Sequence, residues 1–498
     1  MSAATAVLPD ALYRAASVRR LDRAAIDDAG IPGVTLMQRA GEAAWLVLRR
    51  RWPAARRIAV MCGAGNNGGD GYVIARLAHA DGCEVQLVQV GDVRRLGPDA
   101  ALHARAAADA GLAPRALDAA ALGGLDVVVD ALLGIGLDRE VGGDYRRAID
   151  AIDAARVPVL AVDVPSGLNA DTGMPMGAAV VAAATVTFIG VKQGLLTGRA
   201  ADHRGELWFA DLDVPAQVYG RVAADARVAD LARERSALAP RARSGHKGDH
   251  GHVLVIGGDL GYAGAARMSA QAAARTGAGL VSLATHPEHA ALAAIAQPEI
   301  MARGVADRHG LQVLARRATV VALGPGLGTD AWGESLFGAA LDLELPLVLD
   351  ADALNLLARA PLRRDDWVLT PHPGEAARLL GVATAAVQAD RFAAAAAIQA
   401  RYGGVCVLKG AGSLIAAGDG PPAVCVHGNP GMASGGMGDV LTGVIAALRA
   451  QRLDASAAAR LGVCLHAAAA DAAALRDGER GLLATDLFPH LRRLVNGG

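Results

Sequence analysis

The sequence predicts an α/β fold arranged as two domains, and three features carry that prediction. Ile58-Ala-Val-Met-Cys62 runs into Gly63-Ala-Gly-Asn-Asn-Gly-Gly-Asp-Gly71 and then into a helical pattern over 72–80, the strand, glycine loop and helix of a nucleotide-binding βα unit. Short apolar runs separated by helical stretches recur in both halves, as a mostly parallel sheet requires. Between Pro215 and Pro240 the pattern weakens into an Ala/Arg-rich stretch over 227–243. The expected division is a first domain over 1–220, a linker over 221–240 and a second domain over 241–498.

In chain order, residues 15–50 carry apolar positions at helical spacing, broken at Gly30-Ile-Pro-Gly33, and read as two helices. Strands are expected at 58–62, 85–90, 127–133, 158–164 and 184–189. Three of them end in polar loops: Asp130-Ala-Leu-Leu-Gly-Ile-Gly-Leu-Asp-Arg-Glu140, Asp163-Val-Pro-Ser-Gly167 and Lys192-Gln-Gly194. Ligands bind outside the carboxyl ends of strands in open α/β sheets, so these loops and the glycine loop should share one crevice. The second series places strands at 251–258, 280–284, 319–323, 347–349, 367–369 and 405–408. Its helices are expected at 264–276, 374–380, 389–401, 439–450 and 456–475. The halves share no fixed-period repeat, which marks a fusion rather than a duplication.

Composition narrows the function class. The 498 residues are 53% hydrophobic and 20% charged, so the chain is globular, and with 3% aromatics its cores must be built from Val, Leu, Ile and Ala. A net charge of −1 offers no general attraction to nucleic acid or anionic membrane. Arg49-Arg50-Arg51 reads as a solvated helix end. Five scattered cysteines without a C-x-x-C pair fit a reduced compartment. With no signal region and no long apolar span, the expectation is a soluble, cytoplasmic protein.

Candidate chemistry lies on the loops. In the first half, Asn66, Asn67, Gly68, Gly69 and Asp70 combine amide oxygens, a carboxylate and exposed N–H groups. Gly63, Gly65 and Gly68 also fit G-x-G-x-x-G with Asp92 after the next strand, which leaves a dinucleotide dehydrogenase open. Asn67, Asp130 and Ser166 are hard oxygen donors suited to a monovalent cation or Mg²⁺, or else ordinary turn formers. Asp163 and Lys192 offer an acid/base pair, with a turn cap as the plainer role for Asp163.

In the second half, Gly324-Pro-Gly-Leu-Gly328, Asp350-Ala-Asp352, Thr370-Pro-His-Pro-Gly-Glu375 and Lys409-Gly-Ala-Gly-Ser413 all follow strands. They should share a rim with Asn429-Pro-Gly-Met-Ala-Ser-Gly-Gly-Met-Gly-Asp-Val-Leu-Thr-Gly443. There Gly435, Gly436, Met437 and Gly438 would form an anion loop at a helix start, with Asp439 either a cap or a base. His372, fixed between prolines, leans functional. His246, His250 and His252 admit a zinc reading without a second ligand cluster.

These motifs together resemble a known family. NNGGDG, GIGLDRE and DVPSG place residues of about 10–215 with the YjeF N-terminal, NAD(P)H-hydrate epimerase type. HKGDHGHVLVIGG, YAGAA, GPGLG, TPHPGE, KGAGS and GGMGD place about 240–495 with the YjeF C-terminal, ribokinase-like ADP-dependent NAD(P)H-hydrate dehydratases. The implied architecture is an N-terminal Rossmann-like three-layer α/β/α domain and a C-terminal ribokinase-like α/β domain. The implied activity is repair of NADHX and NADPHX, by epimerising the R and S hydrates and dehydrating the S form while ADP becomes AMP.

Carried over by position, Asn66, Asn67, Gly68, Gly69, Asp70, Gly134, Ile135, Gly136, Leu137, Asp138, Arg139, Glu140 and Asp163 would hold the hydrate for epimerisation. Asn67, Asp130 and Ser166 would bind K⁺, and Asp163 and Lys192 would transfer protons. In the dehydratase, Ala265, Gly326, His372 and Asp439 would hold the hydrate. Lys409, Gly410, Ala411, Gly412, Ser413 and Gly438 would hold the adenosine phosphate, with Mg²⁺, and Asp439 would be the base. A homo-oligomer without nucleic-acid or membrane partners is expected. A small-alcohol or vitamin kinase fused to a non-catalytic nucleotide-binding module is the alternative, because a scaffold does not fix a substrate.

Overall fold

The computed structural model describes residues 4–497, without the side chains of Ala120 and Ala121. The chain divides into two compact units between Val228 and Ala229.

The first unit contains β1 (Ala11–Tyr13), β2 (Arg57–Cys62), β3 (Glu84–Gln89), β4 (Val127–Ala131), β5 (Val159–Val162), β6 (Ala184–Phe188), β7 (Val191–Lys192), β8 (Glu206–Ala210) and most of β9 (Ala226–Ala229). Six of these form a parallel sheet in the order β3-β2-β4-β5-β6-β8. Alternation along β2 shows why three layers form. Ile58, Val60 and Cys62 enter a core with the Gly33–Arg51 and Asn66–Ala80 helices, whereas Ala59 and Met61 enter another with the Gly143–Ala155 helix. The order reverses between β2 and β4, so the loops after those strands flank a ligand crevice. Beside this sheet, β1 pairs parallel with β7 and antiparallel with β9.

The helix after β2 begins at Asn66, six residues ahead of the expected start, so the Asn-Asn-Gly-Gly-Asp run is its first turn. Glycine disfavours a helix interior by propensity, but packing overrides it here. A Cβ on Gly68 would stand 2.0 Å from the Gly63 carbonyl oxygen, and one on Gly71 would stand 2.7 Å from Cys62 Sγ.

The second unit adds β10 (His252–Ile256), β11 (Leu280–Thr285), β12 (Met301–Gly304), β13 (Val320–Leu323), β14 (Leu347–Leu349), β15 (Trp367–Leu369), β16 (Val405–Leu408), β17 (Leu414–Ala416) and β18 (Ala423–Cys425). Their order is β12-β11-β10-β13-β14-β15-β16-β17-β18, parallel to β16 and antiparallel beyond it. The reversal between β10 and β13 again sets up a crevice, between the loops at 257–262 and 324–328. The Ala263–Thr276 and Met437–Ala450 helices pack against each other at close range, since a Cβ on Gly443 would lie 2.0 Å from the Ser269 carbonyl oxygen. Ala455–Asp477 has the length and composition to cross a membrane, but 67% of its apolar 18-residue window is buried, as in a core helix.

The stretch expected as a linker, 221–240, contains β9 and a helical turn, Leu231–Glu234, whose start is capped by Asp230 through Ala232 N at 3.0 Å. All five cysteines are free and buried.

Candidate functional site

In the first unit Lys192 ends β7, and its side chain is only 1% exposed. Nζ is ion-paired with Asp163 Oδ1 and also donates to Thr187 Oγ1 at 3.1 Å and to the Phe188 carbonyl at 3.0 Å. Asp163 follows β5 with φ +69°, a conformation non-glycine residues adopt at a cost. Its N–H donates to the Val186 carbonyl at 2.7 Å, which holds that turn in place. Its other carboxylate oxygen faces Gly134, 3.6 Å from where a Cβ there would stand, and Asn67 comes within 3.5 Å of the same point. Asp163, Lys192, Asn67 and Gly134 therefore share one crevice.

A second cluster adjoins it. Asp130 is fully buried, and its carboxylate accepts from Ser166 Oγ at 2.6 Å, Ser166 N at 2.8 Å and Leu132 N at 3.3 Å. Burial outweighs those bonds and pushes the carboxyl up to about 6. Both polar atoms of the buried Asn67 amide lack any partner among the described residues. A buried carboxylate with only neutral donors and an orphaned amide fit a monovalent cation. Gly134, Ile135 and Leu137 are partly buried, whereas Asn66, Gly136, Asp138, Arg139 and Glu140 are exposed.

Sequence reasoning missed Asp22, on the Ala15–Asp27 helix. Arg19, one turn earlier, donates to the Ile135 carbonyl at 2.8 Å, and Leu21 lies 3.3 Å from the position a Gly190 Cβ would take. This helix thus covers the loop carrying the candidate hydrate positions. Asp22 makes no hydrogen bond or ion pair among the described residues. Burial pushes it up to about 6, with Lys192 and Arg19 opposing and Asp163 adding to the rise. Asp70 is raised well above the usual range by burial, then by Asp163 and Asp22. No signal in a helical surface pattern distinguishes such an aspartate.

In the second unit the Met437–Ala450 helix starts after Gly436, whose φ of +89° requires glycine. No side chain caps it, so Asp439 stands in the first turn and is not the cap. The first i→i−4 bond runs from Val440 N to Gly436 O at 3.0 Å, which leaves earlier N–H groups of the loop without helical partners. Burial first, then Asp350, pushes Asp439 up to about 7 against the pull of Lys409. Lys409 Nζ meets Asp350 Oδ1 at 2.6 Å and Glu375 Oε2 at 3.8 Å. Burial would depress Lys409, but Asp350 and Glu375 outweigh it and raise it. Burial would raise Asp350, yet Lys409 and the hydroxyl of Thr442, at 2.9 Å, hold it below its usual range. Glu375 is raised by burial to about 7.

His372 has two roles. Its Nδ1 accepts from Gly374 N at 2.9 Å and caps the Pro373–Leu380 helix, while Nε2 lies 3.4 Å from Glu375 Oε1. Burial and then Lys409 lower its pKa, which favours the neutral ring. Gly326 meets Ala265, 3.3 Å from where its Cβ would be. Lys409 to Ser413 form the turn between β16 and β17, and the buried Arg391 braces it by donating to the Leu408 and Lys409 carbonyls at 3.2 Å each. Asp350 and Glu375 were legible only as parts of loops, since nothing in the sequence marks them as partners of Lys409.

The competing readings fail on geometry. His246 caps a turn through Gly248 N, and His252 is consumed by Ser282 and Arg317. Among the described residues no three or more His, Cys, Asp or Glu gather as a zinc-type ligand set. Asp92 is consumed by capping a turn and pairing with Arg94 at 2.8 Å.

A family model described as NAD(P)H-hydrate dehydratase matches residues 253–493, and one described as YjeF-related protein N-terminus matches 33–194. A bifunctional NAD(P)H-hydrate repair enzyme from Coxiella burnetii is 50% identical over 485 residues, covering 97% of this chain and 99% of the relative. The enzyme of that name from Escherichia coli is 45% identical over 491 residues, covering 98% and 95%. Among solved structures, a ribokinase-like superfamily protein from Enterococcus faecalis matches with a TM-score of 0.50 at 28% identity, covering 55% of this chain and 96% of that one.

Proposed function

The chain belongs to the family of bifunctional NAD(P)H-hydrate repair enzymes, and from that premise we propose how its residues divide the two reactions. The protein epimerises R and S hydrates of NADH and NADPH, and it dehydrates the S form at the expense of ADP.

Epimerisation belongs to the first crevice. The Asn66 to Asp70 helix start and the Gly134 to Glu140 loop hold the hydrate. Asp163, whose carboxylate spans from the buried Lys192 to the open side near Gly134, takes the proton of the C6 hydroxyl as the C6–O bond becomes a carbonyl and the C6–N1 bond breaks, with N1 taking a proton from Lys192. Reclosure of N1 on the other face of that carbonyl, with both proton transfers reversed, gives the epimer. Asn67, Asp130 and Ser166 hold K⁺. When bound, K⁺ supplies the positive charge that the buried Asp130 lacks.

Dehydration belongs to the second crevice. Lys409 to Ser413 and Gly438 hold the adenosine phosphate, and Ala265, Gly326 and His372 hold the hydrate. Asp439 takes the proton of the C6 hydroxyl as that oxygen bonds to the β-phosphorus of ADP and the bond to AMP breaks. Amides of the Gly435 to Gly438 loop stabilise charge on the transferred group. The ring nitrogen then pushes out phosphate with its electron pair, and loss of a C5 proton restores the dihydropyridine.

Four carboxylates (Asp350, Asp352, Glu375, Asp439) act on this site against one ammonium. These carboxylates suit Mg²⁺, for which Asp439 would be the candidate ligand and which would supply charge neutralisation for the phosphates of ADP. A cytoplasmic location accompanies this reading, supported by five reduced thiols. Self-association as a homo-oligomer does too, supported by the exposed edge strand β12. Neither nucleic acid nor membrane is proposed as a partner, given a net charge of −1.

The observation that carries the reading is Asp439, free of a capping role and pushed up to about 7, beside Lys409 at a glycine-opened helix. Purified protein given mixed NADHX epimers and ADP should convert both fully to NADH, with AMP and phosphate in equal amounts. A halt once the S form is exhausted would sink the epimerase assignment, and accumulation of a phosphorylated product from ATP would indicate the kinase.

A further inference from the structure

Beside the second crevice lies a shallow cavity of about 550 Å³, open to solvent and lined by Thr329, Asp352, Asn355, Ala358, Arg359 and Arg378. It adjoins the candidate hydrate positions through two elements. Asp352 Oδ2 accepts from Gly328 N at 2.9 Å, two residues beyond Gly326. Arg378 sits on the Pro373–Leu380 helix that His372 caps, and its charge acts on both His372 and Glu375.

The guanidiniums here are placed but not neutralised alike. Arg378 Nε donates to Asn355 Oδ1 at 2.8 Å, a neutral partner, and the residue makes no ion pair among the described residues. Asn355 is positioned in turn by Asp352 at 3.4 Å. Arg359 is held by Thr329, through the carbonyl and hydroxyl at 3.2 Å each, and by Glu334 at 3.4 Å.

Two guanidiniums and the Asp352 carboxylate line this cavity, and with Asp352 engaged by Gly328 N, Arg378, which has no ion pair among the described residues, leaves it suited to an anion. A dinucleotide hydrate carries a pyrophosphate, and the NADPH form carries a further phosphate on a ribose. None of Ala265, Gly326, His372 and Asp439 provides a permanent cation, and Lys409 is already paired with Asp350 and close to Glu375. The cavity offers room for a ribose phosphate and a planar donor fork suited to phosphate oxygens. Resting on the functional reading above, we propose that the cavity between Arg359 and Arg378 binds a phosphate group of the dinucleotide hydrate during dehydration.

The test compares wild type with Arg378→Gln and Arg359→Gln in the full chain, using purified S-NADHX and S-NADPHX with ADP. Arg378→Gln should raise the hydrate KM about tenfold, the usual worth of a charge-assisted contact, with kcat and the ADP KM little changed. An equal rise for both hydrates identifies the pyrophosphate, and a rise confined to S-NADPHX identifies the ribose phosphate. Arg378→Lys should recover part of the loss. An ADP KM that rises in place of the hydrate KM would overturn the proposal, as would a hydrate KM unchanged in both variants. If Arg378→Gln fails to fold, Arg359→Gln, at an exposed position, carries the same comparison. Absence of wild-type turnover would sink the functional reading instead.

Discussion

Lys409 and Asp350 form a buried ion pair, 2.6 Å from Nζ to Oδ1, against the bare face of Gly438. A Cβ there would stand 3.1 Å from Nζ and 3.2 Å from Asp350 Oδ2. Gly438→Ala should therefore press on the pair while favouring the helix by up to about 1 kcal/mol. The expected result is a dehydratase kcat/KM for ADP lowered about tenfold, with an unchanged or higher melting temperature. Full activity would show that the pair has slack the structure does not suggest.

Asp439→Asn should lower dehydratase kcat by about 10²–10⁴-fold, the range for a general base, and leave R-to-S epimerisation intact. The same substitution has a stability signature. The Asp439 carboxyl is pushed from 3.8 to about 7, so between those pH values the folded chain binds more protons than the unfolded one. Stability therefore falls as pH rises through that window. The melting temperature of Asp439→Asn should match wild type near pH 4 and exceed it by a few degrees above pH 7. A constant gap across that range would count against the buried carboxylate.

Asp163→Asn should abolish epimerisation and also destabilise the first unit, because it leaves the ammonium of Lys192 buried without a counter-charge. Loss of one partner from such a pair costs about 3–5 kcal/mol. Turnover of pure S-hydrate by the second unit should persist, which separates this effect from general unfolding. Retained epimerisation would remove Asp163 from the reaction.

Replacing choline chloride by KCl at constant ionic strength should raise the melting temperature of wild type, by an amount equivalent to about 2.7 kcal/mol at a hundredfold excess over Kd. Asn67→Ala should lose that response. Because Asp130 is pushed up to about 6, it is protonated below that value, and the K⁺ response should fade as pH falls through it. An identical response in Asn67→Ala would place the ion elsewhere.

Asp22→Asn tests the carboxylate that covers the epimerase crevice. Removing a negative charge near Lys192 and Asp163 should shift the pH profile of epimerisation, whereas a purely structural role would change only its amplitude. The profile, measured with the dehydratase as a coupled reporter in excess, decides between them.

How much was readable in advance depended on the period of the signal. β14, β15 and β16 were legible to the residue because short Val/Leu runs between polar loops have one economical reading. The start at Asn66 was not, since Gly68, Gly69 and Gly71 argue against a helix until their contacts with the Gly63 carbonyl, Met37 and Cys62 are known. β9 was hidden by an Ala/Arg composition that also describes a linker. Candidate residues on strand ends could be expected to gather because the topology brings those ends together, but Asp22 comes from a helix. The identity of the hydrate came from resemblance, since no spacing of Asp, Lys and Gly encodes a nicotinamide ring.

The distribution of the buried thiols gives the chain an internal tally. Cys62 and Cys83 belong to the first unit, and Cys406, Cys425 and Cys464 to the second. A membrane-free alkylating reagent reaches them only when the surrounding core opens. Each unit therefore announces its own unfolding as a mass increment of two adducts or of three. Intact-mass spectra taken during denaturation would sort molecules by which half has opened, with no label engineered into either.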